Sequence, residues 1–347
     1  MFKSLLKLFF QFFLLALFIF LIIEYKLAIY GLQQGKGQLD LVWGAKPVEE
    51  VLTDVTFPDS LKQKLRLIND MRKFTVEELG MNESKNYTSV YDQKGQSLLL
   101  NVSACEPYSF TPKEWTFPFL GAVPYKGFFD KKEAAKEVLK LKMQGYDIDV
   151  YSPSGWSTLG WFNDPILSNM LNQDEGSLAN LIIHELTHGT LFVKNDVNFN
   201  ENLANFIGDK GAELFLIQRF GKESKEYIDY EQDKTDQKIF TTYILKSKER
   251  LDSLYKLMGK GNSEQETEIQ KKALIMEIVL GINKLPLHKK RNYFKYTQQA
   301  FFEGNAFFMA FERYDSQYEI FEKEYKEKFN SDLKKYFEYL KGKYPSL

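Results

Sequence analysis

The sequence predicts an α+β protein: an N-terminal transmembrane helix, a mixed sheet packed on one motif-bearing helix, then a mostly α-helical C-terminal part. Three observations carry that expectation. Leu5 to Ile23 is an apolar run broken only by Lys7 and Gln11. Between residues 97 and 165, β-prone runs alternate with turn signals. Beyond Ser177, apolar residues recur at helical spacing. The composition, 44% hydrophobic and 27% charged over 347 residues, is globular and excludes disorder as the default. Forty-six Lys+Arg against 47 Asp+Glu leave a net charge of −1, so no nucleic-acid partner is expected. The single cysteine, Cys105, excludes an intrachain disulfide or a thiolate cluster and reads as a small buried apolar residue.

As a helix, the N-terminal run would span about 28 Å, close to the hydrocarbon thickness of a bilayer. Lys3 and Lys7 give it a charged start. No small-x-small cleavage site precedes Glu24-Tyr25-Lys26-Leu27, so it reads as an uncleaved anchor over residues 1–30. The two lysines on a short flank keep that end in the cytoplasm. The expected location is therefore the cytoplasmic membrane, single-pass, with the body on the extracytoplasmic (periplasmic) side.

Residues 47–80 show helical spacing, with Pro47 at a start and Gly80 at an end. Residues 97–104 read as a buried strand. Phe119 to Tyr125, an amphipathic stretch over 131–143, and Tyr146 to Tyr151 form a strand–helix–strand pattern. Trp156 to Phe162 is a further β-prone run closed by Asn163-Asp164-Pro165. The helical remainder turns at Gly259-Lys260-Gly261-Asn262 and ends with Phe301 to Gly342. The expected division is 1–30, an α+β region over 31–220, and a helical region over 221–347. Three glycosylation-acceptor patterns, at Asn82, Asn86 and Asn101, are matched at a level chance explains. The lysine-rich tail over 322–345 reads as an amphipathic helix with a solvated face.

Residues 184–188 are His-Glu-Leu-Thr-His, using two of only three histidines in the chain. Leu178, Leu181, Ile182 and Leu186 make the segment an amphipathic helix, on which residues i and i+4 share a face. His184 and His188 can then bind one metal ion together, with Glu185 alongside. Zinc suits two neutral imidazoles plus a carboxylate, and a catalytic site keeps a fourth position for water. Glu185 is placed to take the proton of that water. The expected third ligand is Glu201, at the start of a second helix, with Asn205 one turn on as its hydrogen-bonding partner. Asp196 and Asp209 compete for that position. The remaining histidine, His288, lies in a basic, loop-like stretch and reads as solvated.

A histidine pair of this kind followed by an Asn-Glu-x-x-x-Asn helix resembles the zinc peptidases whose third ligand is glutamate, the thermolysin-like gluzincin and zinc aminopeptidase group. In many of those the partner one turn on is Asp, where this chain has Asn205. Over nearly its whole length the sequence is similar to a bacterial family described as predicted aminopeptidases. The matching blocks are Gly35-Lys36-Gly37-Gln38-Leu39, Pro124 to Asp130, Ser157 to Phe162, His184 to His188 and Phe199-Asn200-Glu201. The resemblance implies a zincin-like catalytic region over 31–220, one zinc ion per chain, and an aminopeptidase acting on peptide or protein substrates. An endopeptidase is the rival within that class. A non-catalytic, metal-stabilised binding or assembly protein is the rival outside it, and an intact Glu185 argues against that reading.

Such enzymes bind extended peptides along a sheet edge. Ser157, Thr158, Leu159 and Gly160 are the expected substrate-binding strand, with a core strand as the competing reading. Tyr314 resembles a position where family members also carry tyrosine, and a phenol there can donate to an oxyanion. Core packing competes with that role in a chain of twenty tyrosines. For the ammonium of a peptide N-terminus, Glu175 and Asp164 are the nearest carboxylates in sequence.

Overall fold

A computed structural model describes residues 6–11, 24–117, 121–153, 155, 163–194, 196–257, 263–311 and 318–344. The chain forms two compact units, 1–44 and 45–347. In the first, residues 6–11 are helical and α1 spans Tyr25–Gly44. No helix among the described residues is long and apolar enough to cross a membrane. The expected N-terminal transmembrane helix, and the single-pass membrane location built on it, are corrected accordingly. The 20 residues of α1 are interrupted by Lys26, Lys36, Asp40 and three glutamines. Residues 12–23 of the apolar run lie outside the described residues.

The second unit is α+β, with helix predominating. The stretch 47–80 is two helices, α2 (Val48–Thr53) and α3 (Asp59–Glu77). Pro58 separates them because it lacks an N–H and holds extended backbone at the N-cap of α3. Gly80 sits beyond the end of α3 at φ +69°, a conformation glycine adopts without penalty.

The strands make two three-stranded sheets and a hairpin. In the first sheet, β2 (Ser89–Tyr91) pairs antiparallel with β1 (Lys46–Pro47) and parallel with β8 (Ile166–Leu167). In the second, β3 (Leu100–Cys105) lies between β6 (Tyr125–Phe128) and β7 (Asp147–Tyr151), antiparallel to both. The hairpin is β4 (Trp115–Phe117) with β5 (Gly121–Val123). Helix α4 (Lys131–Met143) follows β6, capped by Asp130, whose carboxylate accepts from the Lys132 N–H. Its residues Ala134 and Leu141 are buried, as are Val102 and Ala104 of the central strand. Cys105 is fully buried, and its thiol contacts the Ser109 carbonyl.

The rest is helical: α5 (Glu175–His188), α6 (Val197–Phe220), α7 (Lys225–Tyr255), α8 (Glu264–Ile282), α9 (Phe294–Glu303), α10 (Asn305–Ala310), α11 (Tyr318–Phe329) and α12 (Leu333–Lys343). Residues 258–262, which include the expected turn at Gly259-Lys260-Gly261-Asn262, lie outside the described residues, between α7 and α8. Phe240, Ile244, Ile275, Ile278, Phe307 and Phe308 form a core that joins α7, α8 and α10. Around α6, the Phe206 ring packs against Tyr318, Phe321, Tyr325 and Tyr336 of the last two helices.

Candidate metal and catalytic site

Helix α5 starts at Asp174, whose carboxylate accepts from the Ser177 N–H at 2.8 Å. It buries Leu178, Ala179, Ile182, Ile183 and Leu186. That stripe fixes the helix rotation and turns His184, Glu185 and His188 toward one side of its C-terminal end. Helix α6 starts at Asp196, which accepts from the Phe199 N–H at 3.0 Å, and runs back along α5. Two glycines on α6 permit the close approach. A Cβ at Gly208 would lie 3.0 Å from the Asn180 carbonyl and 3.2 Å from His184 Cβ; one at Gly211 would lie 2.9 Å from Ile183 Cγ2. The loop between the helices is held by Asn200. Its side chain accepts from the Val193 N–H and donates to the Val193 carbonyl, both at 2.8 Å.

This packing brings three ligand-capable side chains together. One ligand atom each from His184, His188 and Glu201 lie within 4.8 Å of one another. The Nε2 atoms of the two histidines are 3.2 Å apart, and Glu201 reaches them at 3.5 and 3.6 Å. Burial raises the Glu201 carboxyl pKa, but hydrogen bonds from His184 and His188 and their charges outweigh it and hold Glu201 well below the ordinary range. Burial pushes the Glu185 carboxyl up to about 7; nearby His184 opposes this, while Glu201 and Asp164 add to it. Two imidazole nitrogens that face one another and a carboxylate have the donor chemistry of a divalent metal site. His188 Nδ1 is buried and has no hydrogen-bond partner among the described residues.

Asn205 lies half-buried one turn beyond Glu201 on the same helix. The two competing carboxylates are engaged elsewhere. Asp196 caps α6, and Asp209 accepts from Tyr230 at 3.0 Å and from Tyr318 and pairs with Lys234 at 3.1 Å. Glu175 is in the first turn of α5, paired with Lys64 at 2.8 Å, so it stands away from the histidines. Asp164 is fully buried, and Glu185 feels its charge. His288 is exposed; its backbone N–H donates to Asp236. Ser157, Thr158, Leu159, Gly160 and Tyr314 lie outside the described residues. Gly155, just before them in the chain, does reach the site: a Cβ there would sit 2.5 Å from Glu185 Oε1.

Sequence reasoning missed the clamp behind the site. Asn86 donates from Nδ2 to Asp164 Oδ2 at 3.3 Å and accepts from the Asp164 N–H at 3.0 Å. The Tyr87 N–H donates to the Asp164 carbonyl at 2.7 Å. Asn86, matched as a glycosylation acceptor, is 4% exposed and spent on that clamp. Tyr87 is buried at φ +60°, an uncommon conformation for a bulky residue.

A family model described as "Putative aminopeptidase" matches residues 29–343. No curated protein and no solved structure matches the chain.

Proposed function

The chain belongs to the family described as putative aminopeptidases, and from that premise we propose that it is a zinc-dependent peptidase releasing single residues from peptide N-termini. The observation that carries the reading is the convergence of His184, His188 and Glu201 beside Glu185. His184, His188 and Glu201 hold the zinc ion, and Asn205 supports Glu201. When bound, zinc polarises the scissile carbonyl and makes water acidic enough to lose a proton near neutral pH. Glu185 takes the proton from the attacking water as its oxygen bonds to the carbonyl carbon. It then delivers that proton to the leaving amine as the C–N bond breaks. A carboxyl whose pKa stands near 7 is suited to both transfers. Asp164, fully buried and bonded to Asn86, supports the raised Glu185 carboxyl with its charge. Ser157 to Gly160 are assigned to peptide binding, and Tyr314 to oxyanion donation.

The test pairs metal content with turnover. Glu185→Gln should retain one zinc per chain while kcat falls by at least about a hundredfold, because a general base is not a ligand. Wild type should cleave a free peptide and leave its N-acetylated form intact. Equal cleavage of both would make it an endopeptidase. No cleavage of a broad peptide panel by the fully zinc-loaded protein would overturn the peptidase reading.

A further inference from the structure

Away from the metal site, α2, α3, the Tyr87-Thr88 segment and the end of α6 surround a cleft of about 340 Å³. That volume falls within the roughly 300–1,000 Å³ typical of small-molecule sites. Its apolar floor includes Val48 and Leu65, both buried. Its polar lining has both signs: Arg66, Arg72 and Arg219 against Glu49 and Asp70.

Those charges satisfy one another only in part. Arg219 pairs with Asp70 at 3.6 Å, both partly exposed. Neither Arg66 nor Glu49 has a hydrogen-bond or ion-pair partner among the described residues, although the Glu49 charge acts on Arg72. Arg72 spends its terminal nitrogens on the Ser84 carbonyl at 2.6 Å and on Asn69 at 3.4 Å. Its Nε is buried without a partner; the Tyr87 hydroxyl, also without one, feels the charges of Glu185 and Asp164 instead. Of the two, only the Arg72 Nε belongs to the charged lining of this cleft. Buried polar groups are normally satisfied, so an unpaired guanidinium N–H in the wall of a charged cleft points to a missing ligand.

We propose that this cleft binds a free zwitterionic α-amino acid with an apolar side chain. The carboxylate takes the Arg66 guanidinium, whose forked donors match its geometry, and the unpaired Nε–H of Arg72. The ammonium takes Glu49, and the side chain lies on the Val48–Leu65 floor. Phosphate-rich ligands fit poorly, because two carboxylates offset two of the three guanidinium groups. The site stands whether or not the metal centre hydrolyses peptides.

Titration calorimetry with L-leucine on the full-length, zinc-loaded protein tests it. Leucine should bind wild type and Glu201→Ala alike, which separates this cleft from the metal site. Leucinamide and N-acetyl-leucine, each lacking one charge, should bind at least about tenfold more weakly. Arg66→Gln, at an exposed position, should weaken leucine about tenfold, and Glu49→Gln should reduce it to the level of N-acetyl-leucine. Absence of saturable binding up to about 10 mM would overturn the proposal. So would leucine binding that Glu201→Ala abolishes, or that Arg66→Gln leaves unchanged.

Discussion

Glu201 and Asp209 sit on the same helix and hold their charges in different ways. Glu201 faces two imidazole nitrogens and is partly open to solvent, whereas Asp209 is 7% exposed and bonded to Tyr230, Tyr318 and Lys234. Their substitutions should separate metal binding from stability. Glu201→Ala should lose most of the zinc, measured by metal analysis after dialysis, with little change in the metal-free melting temperature. Asp209→Ala should keep the zinc but cost about 1–3 kcal/mol in denaturant unfolding, since it removes the acceptor of the Tyr230 and Tyr318 hydroxyls while Lys234 keeps Glu213. Asn205→Ala should weaken zinc by about tenfold, as loss of a ligand's supporting partner does. If Asp209→Ala lost the metal and Glu201→Ala kept it, the third-ligand assignment would be reversed.

Helices α5 and α6 bring the ligands together only because their backbones approach closely at Gly208. Gly208→Ala would place a methyl 3.0 Å from the Asn180 carbonyl, a backbone atom that cannot rotate away. The expected cost is about 1–3 kcal/mol of stability from overpacking. Zinc affinity should fall with it, because the same contact sets the distance from Glu201 to the histidines; a zinc competition titration reads that loss. The histidine motif, its amphipathic helix and a carboxylate on the next helix are all legible in the sequence, because spacing on a helix dictates which side chains share a face. So are α4, whose bounds agree with the 131–143 stretch, and the strands at β3 and β7. The packing partners of those elements are not legible. Nothing local marks Gly208 as a helix contact, Asn86 as a partner of Asp164, or Asn200 as a latch on Val193. Each depends on residues that only the fold makes neighbours. The single long helix expected over 47–80 failed at Pro58, where the missing N–H outweighed the continuing apolar period.

Across the whole body, β7 is the seam between the second sheet and the C-terminal helices. Asp147 accepts from Lys271 at 2.6 Å and from the Asn305 N–H at 2.7 Å, and Lys271 is 5% exposed. Gly304 is required between the helices: its φ is +55°, and a Cβ there would lie 2.3 Å from the Asp147 carboxylate. Two residues along the strand, on the same face, Asp149 is buried and shares a hydrogen bond with Glu303 at the end of α9. Burial, then the charge and hydrogen bond of Asp149, raise the Glu303 carboxyl from 4.5 to about 8. The folded protein therefore keeps a proton that the unfolded chain releases between those values. Stability is proportionately lost as pH rises through that window and levels off above it, because the folded state binds more protons there. Glu303→Gln supplies a neutral donor to Asp149 at every pH. It should flatten the decline between pH 5 and pH 8 and, with solvent screening discounted, gain roughly 1–2 kcal/mol at pH 8. Denaturant unfolding of both proteins at those two pH values checks it. An equal slope in wild type and Glu303→Gln would mean that the pair does not share a proton across this seam.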